Sequence, residues 1–102
     1  MSLKVLLVCG TGASSGFMAV SMRKAAKKQG LDYQIQARSE AELDNYLDET
    51  DVIMIGPHLS FMETEIKQAV SGTNKKVILM NPDYYAMLDG KQALKHLQSV
   101  LN

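Results

Sequence analysis

Short apolar runs alternate with segments of helical periodicity along this chain. Residues 3–8 are apolar except at Lys4, and residues 52–55 and 77–80 are continuous apolar runs. Runs of this length are typical of strands that are buried on both faces of a sheet. Residues 33–38 instead alternate apolar and polar positions, which predicts a strand with one face on the core. The pattern therefore predicts four strands.

Segments with apolar residues at helical spacing follow the strands. Helices are predicted at about residues 15–29, from a capping box of Ser39 and Glu42 to about Leu47, at about residues 59–70 and at about residues 90–101. Because strands and helices alternate, the chain predicts an α/β fold with a parallel sheet and helices on both faces. Ligands of such sheets bind beyond the carboxyl ends of the strands, where the strand order reverses. The predicted loops 9–16, 56–60 and 81–89 reach that edge.

The composition is that of an ordinary globular domain. The chain has 102 residues, of which 46% are hydrophobic, so residues 1–102 are expected to form a single domain. Its 11 basic residues balance 11 acidic ones, which indicates neither a nucleic-acid partner nor a membrane surface. The apolar N-terminal run is too short for a signal peptide or a membrane span. A cytoplasmic protein without membrane insertion is expected, and the single cysteine fits a reducing compartment.

The charges are nevertheless distributed unevenly along the chain. Residues 1–31 contain five basic residues and no acid, whereas residues 32–65 contain nine acids and Arg38 as the one base. One interpretation is two solvated helix faces of opposite sign. The other is that the acid-free segment, which includes Cys9, accommodates a bound anion.

Cys9, the only cysteine, stands where the first strand runs into a turn rich in glycine and serine. A strand, a turn and a helix start in this order place backbone N–H groups around a small concavity, toward which the helix dipole points. The concavity suits a phosphate, and a thiolate at its rim can carry that phosphate covalently. Cys9 is thus the predicted catalytic residue. The predicted phosphate-binding residues are Gly10, Thr11, Gly12, Ala13, Ser14, Ser15 and Gly16.

Several chemistries use a loop of this kind. The loop comes one residue short of a dinucleotide-binding motif, because Ser15 replaces the third glycine, and no second mononucleotide-binding half follows. A triphosphate loop requires a Gly-Lys-Ser/Thr that is absent. A cysteine phosphatase, with Asp83 as its acid, requires an arginine at position 15 to stabilise the charge that develops during hydrolysis. A phosphate carrier has no such requirement, and a non-catalytic module for a phosphate-bearing ligand also stays open.

Three blocks of the sequence resemble one family. They are the strand and loop with Cys9 and Ser14-Ser15, the segment DVIMIGPH at residues 51–58 and the segment NPDYYAMLDG at residues 81–90. In content and order they are similar to the IIB component of the bacterial sugar phosphotransferase system, lactose/cellobiose class. Members of that family usually carry a polar residue, often glutamine, after Gly-Pro and a basic residue two positions later. This chain has His58 and Ser60 there.

The resemblance implies a four-stranded parallel sheet of order 2-1-3-4 with helices on both faces, similar to low-molecular-weight cysteine phosphatases. It also implies a phosphotransferase without a cofactor, whose Cys9 takes phosphate from a phosphohistidine of a IIA partner. The phosphate would pass to a sugar bound by a membrane IIC partner, such as the β-linked disaccharides cellobiose or lactose, with transient docking at the inner face of the membrane. Because both steps are transfers between large partners, a shallow and exposed site is expected.

Other polar residues have alternative interpretations. His58 is either a general base beside Cys9 or a polar residue at a helix start. Asp83 is either an acid that protonates a leaving group or part of an Asn-Pro-Asp turn. Ser15 is an N-cap, a phosphate contact or both. His96 is expected to face solvent, and two separated histidines with one cysteine indicate no metal site.

Overall fold

Strands and helical segments alternate in the structure as the hydrophobic pattern predicts. The computed structural model describes residues 3–9 and 13–101, with residues 13–15 described for their backbone only. The strands are β1 (Leu3–Cys9), β2 (Tyr33–Ser39), β3 (Val52–Ile55) and β4 (Lys76–Leu79). The α-helices are α1 (Ala13–Lys28), α2 (Leu43–Tyr46), α3 (Glu63–Ala69), α4 (Pro82–Ala86) and α5 (Gly90–Leu101), and 3₁₀ helices lie at Glu40–Glu42, Leu47–Glu49 and Pro57–Met62.

The sheet has the strand order β2-β1-β3-β4, and every pairing is parallel. Both features confirm the prediction. β1 pairs with β2 from Leu3 opposite Tyr33 to Cys9 opposite Ser39, and it pairs with β3 along its other side. The strand order reverses at β1, so the end of this strand lies near the middle of the edge where the strands finish. We term this the carboxyl edge.

Two apolar layers cover the sheet. Val5 and Leu7 of β1 belong to the layer beneath α1 and α5, whereas Leu6 and Val8 belong to the layer beneath α3. All four side chains are at most 1% exposed, which explains why β1 is a nearly continuous apolar run. The first layer also includes Met18, Met22, Ala26, Met54, Ile78, Met80, Leu94 and Leu97, and the second includes Leu43, Ile53, Ile55, Leu59, Ile66 and Val70.

Gly90 allows α5 to approach α1 closely. Its backbone N–H donates a hydrogen bond of 2.9 Å to the Ser21 hydroxyl, and a Cβ at this position would overlap the backbone of Ser21 and Met22. Farther along the two helices, Nε2 of Gln98 donates to Oε1 of Gln29 at 3.1 Å. Glycine is therefore required at position 90 by the approach of two backbones.

Three predictions for the first half of the chain need correction. α1 begins at Ala13 rather than near Ser15. The capping box is wrong, because Ser39 precedes a 3₁₀ helix and makes no side-chain capping hydrogen bond. Residues 40–49 form one short α-helix between two 3₁₀ helices, so the single helix predicted there is interrupted at both ends.

The second half corrects two more. The helix predicted at residues 59–70 is divided, because the 3₁₀ helix Pro57–Met62 precedes α3 and Leu59 has the non-helical angles φ −108° and ψ 25°. Proline favours the first helical position, so Pro57 starts this turn earlier than the apolar periodicity indicates. The hydrophobic pattern does not predict α4, whose five residues are too few to establish a period.

The helices of this fold are short compared with the thickness of a membrane. α1 has 16 residues, whereas a span of the hydrocarbon core requires about 20 apolar ones. Within residues 3–9 and 13–101, no helix is both long enough and apolar enough to cross a bilayer.

Candidate functional site

Cys9 is the last residue of β1 and lies in the interior of the carboxyl edge. It stands opposite Ser39 of β2, and the carbonyl oxygen of the preceding Val8 accepts a hydrogen bond of 2.9 Å from the N–H of Gly56 after β3. The backbone at Cys9 is thus held from both neighbouring strands. The side chain is 2% exposed. The sequence predicts an exposed site, whereas the structure buries the thiol, because Cys9 belongs to the strand rather than to the loop after it.

The start of α1 lies four residues after Cys9, at Ala13. The first-turn N–H groups of an α-helix have no partner within the helix and carry the positive end of its dipole. Ser15 is the third residue of the helix, so its interpretation as the N-cap is wrong. Of the predicted phosphate-binding residues, the first turn thus contains Ala13, Ser14, Ser15 and Gly16. Gly10, Thr11 and Gly12, together with the side chains of residues 13–15, lie outside the described residues.

The imidazole ring of His58 covers the end of β3. A Cβ added to Gly56 would lie 2.7 Å from Cε1 of His58 and 3.1 Å from its Nδ1, so the ring packs directly on the glycine backbone. The ring also contacts that of Tyr85, with the centroids 5.8 Å apart and the planes at 52°. His58 is the second residue of the 3₁₀ helix, which confirms its prediction as a helix-start residue. Its role as a base beside Cys9 stays a prediction.

Asp83 lies on the same edge, in the first turn of α4. Its backbone N–H donates a hydrogen bond of 2.7 Å to Oδ1 of Asn81, which caps the helix. Pro82 occupies the first helical turn as well. The turn interpretation of Asn-Pro-Asp is thus confirmed, whereas the role of the exposed Asp83 carboxylate as an acid stays a prediction.

A tyrosine–histidine pair behind this turn is not predicted from the sequence. The Tyr84 hydroxyl lies 2.7 Å from Nδ1 of His96 on α5, and the two rings meet edge to face. His96 is therefore half-buried, and its predicted solvent-facing position is wrong, because Tyr84 packs against it. Burial raises the pKa of Tyr84 above its usual value of 10.0. The pair connects α4 to α5, the last helix of the fold. Because α4 also carries Tyr85, it is the segment that contacts His58.

Large apolar side chains are exposed around the carboxyl edge. Phe17 (68% exposed) lies in the second turn of α1, Phe61 (74%) in the 3₁₀ helix after β3, and Met87 (79%) directly after α4. Each belongs to a segment that follows the carboxyl end of a strand. We term these three residues the apolar rim. Exposed apolar residues that follow neighbouring strands at one edge of a sheet are candidates for a protein contact surface, a feature that periodicity alone does not reveal.

The remaining polar groups do not form a metal site in the described part of the chain. Within residues 3–9 and 13–101, no three His, Cys, Asp or Glu side chains lie close enough together to hold a metal ion. The groups described at this edge are the buried Cys9 thiol, the first turn of α1, the His58 imidazole and the Asp83 carboxylate.

The matches to known proteins agree with the resemblance found in the sequence. Residues 4–96 match the family model described as PTS system, Lactose/Cellobiose specific IIB subunit. The PTS system galactose-specific EIIB component of Lactococcus lactis subsp. cremoris (strain MG1363) is 34% identical over 105 residues, with 96% of this chain and 95% of that protein covered. The PTS system cellobiose-specific EIIB component of Lactococcus lactis subsp. lactis (strain IL1403) is also 34% identical over 105 residues, with 96% and 95% covered.

A longer relative and a solved structure complete the comparison. The PTS system lactose-specific EIICB component of Lacticaseibacillus casei is 24% identical over 99 residues, which cover 95% of this chain but 17% of that protein. The lactose-specific IIB component domain from Streptococcus pneumoniae superposes with a TM-score of 0.88 over 97% of each chain, at 17% identity. At that identity the likeness establishes the fold.

Proposed function

The chain belongs to the lactose/cellobiose-specific IIB family of the sugar phosphotransferase system, and we propose that Cys9 carries the phosphoryl group. As a IIB component the chain is a phosphotransferase. The observation that carries the proposal is the position of Cys9 at the end of the strand where the strand order reverses, four residues before α1. Ligands of parallel sheets bind at such a point, and a helix N-terminus beside it favours an anion.

The proposed reaction consists of two transfers at phosphorus. In the first, the Cys9 thiolate attacks a phosphohistidine of a IIA component, so that an S–P bond forms, the P–N bond breaks and the imidazole takes the electron pair. In the second, a hydroxyl oxygen of the sugar on a IIC component attacks the phosphorus and the S–P bond breaks. The thiolate is regenerated, and the hydroxyl proton goes to a base on the IIC side. No cofactor takes part in either step.

The loop and the first turn of α1 are proposed to hold the phosphoryl oxygens in both steps. Their backbone N–H groups stabilise the charge on the transferring group, and the hydroxyls of Thr11, Ser14 and Ser15 add donors. His58 is a secondary candidate, since its ring lies at the carboxyl edge and a ring N–H can donate to a phosphoryl oxygen. Asp83 is the other secondary candidate, in the first turn of α4.

Two observations support protein partners, the first of them for docking at the carboxyl edge. The apolar rim is exposed there, as expected of a surface that another protein covers transiently. The EIICB relative contains a IIB region in a longer chain, which supports a membrane IIC component as one partner. Because Cys9 is 2% exposed, transfer requires a donor that docks closely at the carboxyl edge. We place the protein in the cytoplasm, at the inner face of the membrane during transfer to IIC.

Position 15 separates this proposal from a cysteine phosphatase. A phosphatase of this architecture requires a guanidinium that clamps the phosphate, and the chain has Ser15 instead. Without that group the charge that develops during attack by water is poorly stabilised, so the phosphocysteine survives until an acceptor arrives. The two relatives at 34% identity are named for galactose and cellobiose, which supports a sugar of the lactose/cellobiose class as the acceptor. Within that class we propose a β-linked disaccharide.

Incubation with a phosphorylated IIA protein, followed by mass determination of the intact chain, tests the proposal. The wild-type chain is expected to gain one phosphoryl group on Cys9. The Cys9→Ser variant, which is nearly isosteric, is expected to keep its circular dichroism spectrum and gain none, because a serine hydroxyl is a far weaker nucleophile near pH 7 than a cysteine thiolate. Phosphorylation of Cys9→Ser, rapid release of inorganic phosphate by the wild type, or no transfer at all would each overturn the carrier assignment.

A further inference from the structure

The two helical layers on the sheet carry opposite charges, although the net charge of the chain is +0. α1 and α5 contain no acidic residue. The helical segments between residues 40 and 69, on the other face, contain seven acids and one base, Lys67. In α1, Nε of Arg23 donates a hydrogen bond of 2.7 Å to the carbonyl oxygen of Ile35. The remaining bases of α1 and α5 are exposed, and we term them the basic face: Lys24, Lys27, Lys28, Lys91 and Lys95.

The lysines of the basic face are not neutralised by their neighbours. In the part of the chain that the structure describes, none of the five forms an ion pair, whereas Lys67 lies 3.1 Å from Glu63 on the opposite layer. Lys24, Lys28 and Lys91 line one open recess between the two helices, with Asp89 as the acid in that recess. The Asp89 carboxylate accepts a hydrogen bond of 3.2 Å from the N–H of Gln92 and so caps α5.

Helix stability accounts for only part of this arrangement. The dipole favours Lys27 and Lys28 in the last turn of α1, but it disfavours a cation in the first turn of α5, where Lys91 lies. Like charges four residues apart also repel across a helical turn, as in the Lys91–Lys95 pair. The position of Lys91 and the repulsion between like charges are unfavourable in the isolated protein, and both become less so when an anionic surface covers the face.

We propose that the basic face associates with anionic phospholipid headgroups, an inference that rests on the proposed function for its setting beside a membrane component. Flexible ammonium groups spread over two helices match a fluid layer of headgroups, whereas fixed carboxylates on a protein are matched better by the planar fork of arginine. Clusters of four to eight basic residues on a helical surface bind anionic leaflets through charge alone. The positive charge of the basic face complements the negative charge of the headgroups, and the proposed association needs no apolar side chain in the bilayer.

The position of the basic face keeps the site accessible during this association. Lys24 and Lys28 lie 11 and 15 residues after Ala13, which places them about 16 to 23 Å along α1 from its start at the carboxyl edge. The bilayer therefore covers the flank formed by α1 and α5, while the edge with Cys9 stays open to a IIA donor. The association retains the carrier near its acceptor between transfers.

Cosedimentation with vesicles tests this inference. The wild-type chain is expected to bind phosphatidylcholine vesicles that contain about one third phosphatidylglycerol, to ignore pure phosphatidylcholine, and to dissociate as salt is raised toward about 0.5 M. Joint replacement Lys24→Gln, Lys28→Gln and Lys91→Gln is expected to weaken the binding about 100-fold. The matched control, Lys4→Gln with Lys67→Gln and Lys76→Gln, makes the same change in net charge away from the basic face and is expected to bind within a few-fold of wild type.

Three results would overturn the inference. The first is equal binding to both vesicle types, and the second is equal loss of binding in the two triple variants. The third is binding only when IIC is present in the vesicles, because that result would assign the lysines to a protein contact. Phosphorylation of Cys9 by IIA without lipid is measured in parallel and is expected to be unchanged in both triple variants. Vesicle binding without phosphorylation would refute the proposed function alone, and phosphorylation without vesicle binding would refute the lipid inference alone.

Discussion

Replacement of Gly90 by alanine is expected to weaken the packing of α5 on α1 severely. The added methyl group would overlap the backbone of Ser21 and Met22, which cannot rotate away as a flexible side chain can. Met22 and Leu94, which flank the contact, are both 0% exposed, so the helices separate only if the core beneath them opens. The hydrogen bond from the Gly90 N–H to the Ser21 hydroxyl, 2.9 Å long, lies at the same contact and is lengthened by any separation.

The size of the effect follows from three opposing contributions. Alanine is a better helix former than glycine by up to about 1 kcal/mol. Overpacking costs about 1–3 kcal/mol, and more where backbone must move. Loss of the hydrogen bond to Ser21 adds about 1 kcal/mol. A net destabilisation of about 2–3 kcal/mol is expected, which lowers the Tm of a domain of this size by about 10–20 °C.

Urea and thermal unfolding followed by far-ultraviolet circular dichroism measure this effect. Gly16→Ala is the matched control, because a Cβ at position 16 of α1 meets nothing within 4 Å. That variant is expected to be as stable as the wild type or more stable by up to about 1 kcal/mol. A Gly90→Ala variant within about 0.5 kcal/mol of the wild type would refute the reasoning, since the two helices would then be free to move apart.

Three further predictions concern the site and its surroundings. Ser15→Arg is expected to shorten the half-life of phosphorylated Cys9 in buffer, because a guanidinium stabilises the charge that develops during hydrolysis; an unchanged half-life in a folded variant would contradict the proposed role of position 15. Because burial raises the pKa of Tyr84 above 10.0, the neutral phenol contributes stability that is present below pH 10 and is lost as pH rises through the raised pKa. Tyr84→Phe should therefore flatten the alkaline fall in the free energy of unfolding, and parallel plots of that free energy against pH for variant and wild type would exclude the effect. Phe61→Ser with Met87→Ser should slow phosphoryl transfer from IIA while unfolding stays within about 0.5 kcal/mol of wild type, and normal transfer would remove the apolar rim from the docking surface.

The sheet is predictable from the sequence because burial of its central strands leaves a local apolar pattern. β1 and β3 are buried on both faces, so nearly every residue in them must be apolar, and their ends coincide with Gly-rich or Gly-Pro turns. Parallel pairing follows from the helices between the strands. The position of Cys9 at the carboxyl edge is then a consequence of its place at the end of β1.

Other features depend on packing between distant segments and leave no local pattern. The burial of His96 requires Tyr84, twelve residues earlier, to fold back on it. Phe61 is exposed in the 3₁₀ segment Pro57–Met62, which is kinked at Leu59, and apolar periodicity does not indicate that kink. The basic face combines lysines of α1 with Lys91 and Lys95, which only the contact between α1 and α5 brings to one surface.

The strand order also has a consequence for how the chain is made. β1 is the first of the four strands to be synthesised, yet Val5 pairs with Ile35 and Val52, which are 30 and 47 residues later. Long-range parallel pairing is slow, because large loops must close before any contact forms. Until β3 has left the ribosome, β1 exposes an apolar surface and an open edge, the condition in which nascent strands aggregate. Lys4, the one charged residue in β1, is then the gatekeeper that opposes association between neighbouring nascent chains.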